Sequence, residues 1–104
     1  WDYVVPAIQN EKSDKYGAVK GYCNGVAMSG NYVFVAAGGY GVVVLDKATG
    51  KELCHRIAFN GKQENGKWKN GNSANYVTIG KDGYIFVAYG QSRVQVFKLT
   101  STTK

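Results

Sequence analysis

An all-β fold is predicted by three features of the sequence. The 104 residues include 14 Gly, eight Tyr and a single Pro, a composition typical of short strands joined by tight turns. No segment carries apolar residues at helical spacing over three turns. The third feature is an internal repeat, because the stretch 24–50 returns in edited form at 75–101.

Nine positions of the repeat are identical. They are Asn24/Asn75, Val26/Val77, Tyr32/Tyr84, Phe34/Phe86, Val35/Val87, Ala36/Ala88, Gly38/Gly90, Val42/Val94 and Val44/Val96. The offset is 51 residues for the first two pairs and 52 for the others, so one residue is inserted at the turn Lys81-Asp82. A period near 50 residues built from short strands is typical of β-propeller blades, and the sequence therefore predicts two such blades.

Turn signals divide the chain into eight predicted strands. In chain order these are Tyr3–Ile8, Gly25–Ser29, Tyr32–Ala37, Val42–Asp46, Glu52–Phe59, Tyr76–Ile79, Tyr84–Tyr89 and Val94–Leu99. Pro6 cannot donate a ladder hydrogen bond, so the first strand belongs at a sheet edge. The segments 10–21 and 60–73 are polar and turn-rich, which predicts loops. Gly50 suits the positive φ of the turn that precedes the fifth strand.

The middle strands are apolar at consecutive positions. Tyr32–Ala36 and Val42–Leu45 lack the alternation expected of a strand that is covered on one face only. Both faces of these strands are therefore expected to be covered, as they are between neighbouring propeller blades.

The predicted strands define an incomplete propeller. With strands labelled A to D from the axis outward, the chain reads D, A-B-C-D, A-B-C. The range 1–104 is then one propeller segment: 1–21 is the outer strand of a preceding blade with a loop, 22–59 is a complete four-stranded blade, 60–74 is the loop between blades, and 75–104 is a second blade that lacks its outer strand. Because closed propellers have roughly 4–8 blades, further blades are expected as partners. They come either from the same precursor chain, with the first strand closing the ring, or from identical subunits assembled head to tail.

Charge and composition limit the classes of partner. The formal net charge of +6 favours a soluble surface, since the lysines are scattered over turns. Nucleic-acid binding is not expected, because motifs of known nucleic-acid modules are absent.

No run of 18 apolar residues exists, so no membrane span is predicted. The chain begins with Trp1 rather than Met, so a processed product, a proteolytic piece or a portion of a longer protein is expected.

The two cysteines leave alternatives open. Cys23 and Cys54 match no zinc or redox spacing, and either two small buried thiols or a disulfide would fit. An immunoglobulin-like sandwich is the alternative fold for this length. The repeat argues against that fold, as does the lack of any Trp between the two cysteines.

No catalytic residue, metal site or cofactor is predicted. His55 is the only histidine, and the pattern places neither a nucleophile nor a carboxylate beside it, so an edge or surface position is expected. The Gly-rich segment 38–41 is followed by no helix, which predicts a hairpin turn rather than a phosphate loop.

One group of aromatic and basic residues is a candidate ligand site. In a propeller, the D–A loops and the B–C turns lie on one face. The residues predicted there are Trp68, Tyr40, Tyr89, Arg93, Lys67 and Lys69. Exposed Trp and Tyr rings stack on sugars or anchor protein partners, and Lys and Arg add cation–π contacts. A glycan or protein ligand would fit, and the alternative is that Trp68 packs on a neighbouring blade.

The stretch Asn24–Ala37, followed by Val42–Asp46, resembles the LVIVD repeat of bacterial and archaeal β-propellers, with Val and Leu exchanged in the motif. The second copy is similar more loosely, and Lys98 replaces the aspartate there. The run Asp46–Leu53 is also similar to the turn of PQQ-like propeller repeats, over a shorter length. The LVIVD resemblance implies a secreted, cell-surface or periplasmic protein and supplies no catalytic residue.

The sequence therefore predicts a non-enzymatic repeat module for binding or assembly, with a protein or glycan ligand. Two other functions remain open at this point. The blades would belong to a quinone-dependent dehydrogenase or a hydrolase whose active site lies outside this chain, or the chain would be a purely structural, self-assembling unit.

Overall fold

The computed structural model of the chain describes residues 1–7, 21–56, 73–90 and 94–99, and the backbone alone of 62–64, 67–69 and Arg93. Its strands are β1 (Gly25–Ser29), β2 (Tyr32–Ala36), β3 (Val42–Asp46), β4 (Glu52–Arg56), β5 (Lys62–Glu64), β6 (Lys67–Lys69), β7 (Ala74–Ile79), β8 (Tyr84–Tyr89) and β9 (Arg93–Lys98). The described part holds no α-helix, and one 3-10 turn covers Lys81–Gly83. The all-β prediction is confirmed.

Strands β1 to β4 form an antiparallel meander, here named sheet 1. Short turns join its strands, because each turn contains a glycine in the left-handed region: Gly30 has φ 57°, Gly38 has φ 60° and Gly50 has φ 75°. The Asp46 carboxylate accepts a 2.8 Å hydrogen bond from the amide of Ala48 and thereby fixes the turn between β3 and β4. Sequence analysis predicted these four strands in this order, although β2 ends at Ala36 rather than Ala37. The predicted end of the fourth strand, Phe59, lies outside the described residues.

Strands β7 to β9 form a three-stranded antiparallel meander, here named sheet 2, and β5 and β6 pair as a separate hairpin. The inserted residue of the repeat lies in the 3-10 turn between β7 and β8, where Asp82 adopts φ 62°. The hairpin falls within 60–73, where the sequence predicted a loop without strands, so that prediction is wrong for β5 and β6. Three Asn-Gly pairs in this segment supply turn chemistry that suits a short hairpin.

The two sheets pack face to face. The side of each sheet that faces the other is named its inner face. β1 lies against β7, and a Cβ at Gly25 would be in ordinary van der Waals contact with the Tyr76 Cα, 3.6 Å away. A backbone bridge joins the sheets, since Gly38 and Ala74 exchange hydrogen bonds of 3.0 and 2.9 Å. The core between them consists of Phe34, Ala36, Val42, Val44, Ala74, Val77, Ile85, Val87 and Tyr89.

The opposite, outer face of sheet 1 is covered by residues 1–7, here named the strap. A second apolar cluster forms there from Val33, Val35, Ala37, Val43 and Leu45, with Tyr3, Val5 and Tyr40 packed on it. Trp1 anchors the strap by donating a 2.7 Å hydrogen bond from its indole N–H to the Lys47 carbonyl. Both faces of β2 and β3 are therefore buried, as their apolar runs predicted.

The strap corrects one sequence prediction. A strand was expected at Tyr3–Ile8, but the described part of it forms no strand, and Ile8 lies outside the described residues. The physical reason is that Tyr3 and Val5 pack on the apolar cluster of sheet 1, so the strap uses side-chain contacts where a strand would use an edge ladder. No helix of the described part is long and apolar enough to cross a membrane.

Candidate functional site

The outer face of sheet 2 is an uncovered apolar surface, here named the open face. Register pairs Phe86 with Val96 and Ala88 with Val94, so these side chains share one side of the sheet. The neighbours Ile85 and Val87 point the other way, into the core. Large exposed side chains on the open face are Tyr76, Tyr84, Phe86, Val94 and Val96, with exposed fractions from 38% to 66%. Because large contiguous apolar patches on protein surfaces often mediate interactions, the open face is the candidate site.

The internal repeat relates the open face to a surface that is already buried. Its residues Tyr84, Phe86, Ala88, Val94 and Val96 are the repeat partners of Tyr32, Phe34, Ala36, Val42 and Val44, and all five pairs are identical in residue type. On sheet 1 those five side chains belong to, or pack against, the core between the sheets. The chain thus presents the same apolar face twice, covered by sheet 2 in the first case and open in the second.

Repeated asparagines accompany this face. The Asn24 side chain donates a 3.0 Å hydrogen bond to the Ala74 carbonyl and a 3.3 Å bond to the Asn75 side chain, which is its own repeat partner. The Asn75 amide nitrogen would lie 2.8 Å from a Cβ on Gly90, just as that of Asn24 lies near Gly38. The asparagine that links sheet 1 to sheet 2, Asn24, therefore has a counterpart in sheet 2, where Asn75 lies near Gly90.

A polar cluster fastens the strap to β4. The Tyr3 hydroxyl donates to Glu52 Oε1 at 2.6 Å, and the Tyr40 hydroxyl donates to Glu52 Oε2 at 3.0 Å. His55 Nδ1 lies 3.1 Å from the same Oε2. The Tyr40 and His55 rings stack with centroids 3.9 Å apart. One carboxylate thus contacts three side chains from the strap, the β2–β3 turn and its own strand.

A β-bulge places Glu52 and His55 on the same face. In a regular strand, residues three apart point to opposite sides. Here Glu52 pairs with Leu45 and Cys54 pairs with Val44, so Leu53 is an extra residue. The sequence analysis placed no carboxylate beside His55, and that expectation is wrong because the bulge cannot be recognised from a run such as ELCHR. The aromatic turn residue Tyr40 was the available signal.

The pKa values of the cluster reflect these contacts. Burial raises the pKa of Tyr3 and Tyr40, and hydrogen bonding to the Glu52 carboxylate raises both further. Burial by itself raises the pKa of Glu52. The hydrogen bonds from Tyr3, Tyr40 and His55, together with the charge of His55, outweigh burial and hold the Glu52 pKa below its ordinary value of 4.5. The cluster is therefore stable with an ionised carboxylate and neutral phenols.

The contacts of the cluster connect the strap, the β2–β3 turn and β4. The described contacts of His55 are a hydrogen bond with Glu52 and ring stacking with Tyr40. Neither contact positions a hydroxyl or thiol as a nucleophile beside the imidazole. Within the described ranges, no three His, Cys, Asp or Glu side chains come together as a metal site. Sequence reasoning missed the strap anchoring by Tyr3 altogether, because the contact joins residues 49 positions apart.

A cleft remains between the sheets on the side of β4 and β9. Its volume is about 250 Å³, and its lining includes Val44, Cys54, Phe97 and Leu99. Arg56 lies over the Phe97 ring at 5.4 Å. The sheets approach closely at β1 and β7 and diverge toward β4 and β9, so this cleft is the open end of a wedge. Its apolar lining continues the core.

Of the predicted ligand residues, only Tyr40 and Tyr89 have side chains within the described part of the chain. Tyr40 lies on the outer face of sheet 1 within the polar cluster. Tyr89 is 5% exposed in the core between the sheets, so it is not the accessible ring that the prediction required. The side chains of Trp68, Lys67, Lys69 and Arg93 lie outside the described residues, although their backbones form β6 and the start of β9.

The cysteines are free and exposed. The expectation of buried thiols is wrong for both residues, and no disulfide joins them. Cys23 precedes β1 and lines a pocket together with residues of the strap, whereas Cys54 lines the cleft on the inner face of sheet 1. The bulge explains the position of Cys54, because it sets this residue opposite Val44 at the sheet edge.

Comparisons of the chain with protein-family models, curated proteins and solved structures found no match in any of the three. The resemblance to LVIVD repeats, and the extracellular location that it implies, therefore stay predictions.

Proposed function

We propose that this chain is a non-enzymatic module of the β-propeller type that works by sheet-to-sheet assembly through its open face. One observation carries the proposal. Five side chains of the open face duplicate the five that sheet 1 packs against sheet 2. Because this face packs into the core in the first repeat, the same face in the second repeat is suited to pack against another sheet. Its burial would be favourable by about 25 cal/mol per Å² of apolar surface removed from water.

A protein sheet suits the open face better than a glycan does. Sugar sites combine stacking rings with several placed polar groups. The open face has the rings of Tyr76, Tyr84 and Phe86, but its polar groups are few, with Thr78 and Lys98 at its edges. Lys98 already lies 4.9 Å over the Tyr84 ring. An apolar β-sheet partner is therefore the proposed ligand, in agreement with further blades of the same kind.

The experiment is light scattering of the 104-residue chain after size exclusion, over a range of concentrations. The expected mass is a multiple of 11.3 kDa. The double variant Val94→Lys with Val96→Lys is expected to return the mass to that of one chain, because two ammonium groups would be buried in the contact. Ala48→Lys, in an exposed turn, is the matched charge control and keeps the assembly. A chain that stays monomeric at every concentration contradicts the proposal.

A further inference from the structure

We infer that the open face is covered by a second copy of this chain, which docks the outer face of its own sheet 1, with the strap in place. This inference rests on the proposed function and adds the identity and orientation of the partner. The contact is head to tail: sheet 2 of one copy meets sheet 1 of the next.

The internal contact supplies the template. The inner face of sheet 2 that covers sheet 1 presents Val77, Ile79, Ile85 and Val87. Their repeat partners, Val26, Met28, Val33 and Val35, form the outer face of sheet 1. Two of the four pairs are identical and the other two exchange aliphatic residues. The outer face of sheet 1 is therefore chemically a second version of the surface that already binds this kind of face.

The part of that surface that would make the first contact is exposed. Within the chain, β7 provides the closest contact with sheet 1. Its counterpart on the second copy is β1, where Val26 is 56% and Met28 is 60% exposed. The strap leaves these two side chains uncovered while it buries Val33 and Leu45.

The strap fits the second copy without being displaced. In the internal contact, the wedge between the sheets is an open cleft that includes Ile85, Phe97 and Lys98 of sheet 2. The repeat partners of these three residues are Val33, Leu45 and Asp46. Tyr3 and Val5 of the strap pack on the cluster that contains Val33 and Leu45, and Trp1 binds the carbonyl of Lys47 next to Asp46. The strap thus occupies the region that corresponds to the cleft, and Val4, 77% exposed, faces outward from it.

One difference sets the spacing of the new contact. Tyr76 stands on the open face where sheet 1 has Gly25, and even a Cβ at Gly25 would already be in van der Waals contact with β7, 3.6 Å from the Tyr76 Cα. The second copy therefore lies farther from β7 than β7 lies from β1. The Tyr76 ring on β7 and the strap of the second copy lie at opposite ends of the contact. Together they hold sheet 2 of one copy and sheet 1 of the next at a more even separation, near the 10 Å that is usual for stacked sheets.

The test is cross-linking between two single-cysteine forms of the full chain, made in a Cys23→Ser, Cys54→Ser background. One form carries Thr78→Cys on the open face, and the other carries Val26→Cys on β1. A short bismaleimide is expected to link the mixture of the two forms and neither form alone. Thr49→Cys, in an exposed turn, replaces Thr78→Cys as the matched control and gives no link with Val26→Cys.

Each other outcome separates this inference from the proposed function. Linking of Thr78→Cys to itself would mean that two open faces meet, which overturns head-to-tail docking and leaves assembly standing. A multiple mass without any cross-link also overturns the inference alone. A single-chain mass overturns both. An independent variant is Val4→Lys, which is expected to weaken the association about tenfold, because Val4 is buried only by the second copy; an unchanged association constant contradicts the docking geometry.

Discussion

Glu52 connects three parts of the chain that sequence distance keeps apart. It accepts hydrogen bonds from Tyr3 in the strap and from Tyr40 in the β2–β3 turn, and it contacts His55 on its own strand. Hydrogen bonds to a charged acceptor are stronger than neutral ones, although partial exposure of this carboxylate reduces their net effect. At the scale of single residues, Glu52 holds the strap over the outer face of sheet 1 together with the hydrogen bond from Trp1 to the Lys47 carbonyl.

Glu52→Gln is expected to lower the free energy of unfolding by about 1 kcal/mol at neutral pH, because the charged acceptor is lost. The folded-state pKa of Glu52 lies below its ordinary value of 4.5. Its stabilisation is therefore complete above that pH and is lost as the pH falls through the folded pKa. Urea denaturation between about pH 3 and pH 7 measures the difference between wild type and variant, which should shrink in acid.

The matched control combines Glu52→Gln with Tyr3→Phe and Tyr40→Phe. Without the two hydroxyl donors, the Glu52→Gln substitution should cost clearly less. An equal difference between wild type and Glu52→Gln at both ends of the pH range would show that the carboxylate charge contributes nothing to the fold.

The strands β3 and β9 place the same residues in opposite surroundings. Val44 on β3 is 6% exposed in the core between the sheets, and its repeat partner Val96 on β9 is 52% exposed on the open face. The two strands have equivalent antiparallel neighbours in the repeat, since Val44 pairs with Phe34 of β2 and Val96 pairs with Phe86 of β8. At the scale of elements, β3 differs from β9 in being covered by a second sheet and in having β4 as a second neighbour.

Val44→Ala is expected to destabilise the dissociated chain by about 2 kcal/mol, because it leaves a cavity in the core. Val96→Ala should change the stability of the same species by less than about 0.5 kcal/mol. Denaturation at low protein concentration measures both values. At high concentration the cost of Val96→Ala should rise, and a cost that stays constant contradicts burial of the open face.

At the scale of the whole molecule, the described residues outside the β5–β6 hairpin form a stack of three layers: strap, sheet 1 and sheet 2. Two apolar clusters separate the layers, one on each side of sheet 1. The strap covers one side of the stack through Trp1, Tyr3 and Val5, whereas the other side ends in the open face. The asymmetry of the stack gives it a covered end and an uncovered end, which is the condition for head-to-tail contact.

Removal of residues 1–5 is expected to destabilise the chain by roughly 3 kcal/mol, because Val33, Val35 and Leu45 lose their cover. The truncated chain should also bind more of a dye that reports exposed apolar surface. Val4→Ala is the control: Val4 is 77% exposed, so the dissociated chain should keep its stability. Unchanged dye binding after truncation would show that the strap does not cover sheet 1 in solution.

The strands of both sheets were predictable from the sequence because their determinants are local. Apolar runs, Gly-containing turns and the repeat offset indicate strands β1 to β4 and β7 to β9, with bounds that differ from the observed ones by up to two residues where both ends are described. Consecutive apolar residues in β2 and β3 required cover on both faces. The strap was misassigned for a local reason as well: Tyr3 to Ala7 has strand propensity, but propensity does not distinguish an edge ladder from side-chain packing across a sheet.

The sequence by itself determined an all-β chain with a duplicated apolar face, since residue identity and spacing carry both. Only the tertiary structure decided which copy of that face is covered, that residues 1–7 cover sheet 1, and that Glu52 meets His55. These facts depend on contacts between distant residues and on one bulge in β4, and neither leaves a periodic signal in the chain. Tyr89 and Cys54 illustrate the same reason: their exposure is set by the neighbouring sheet and by the bulge, not by their own residue types.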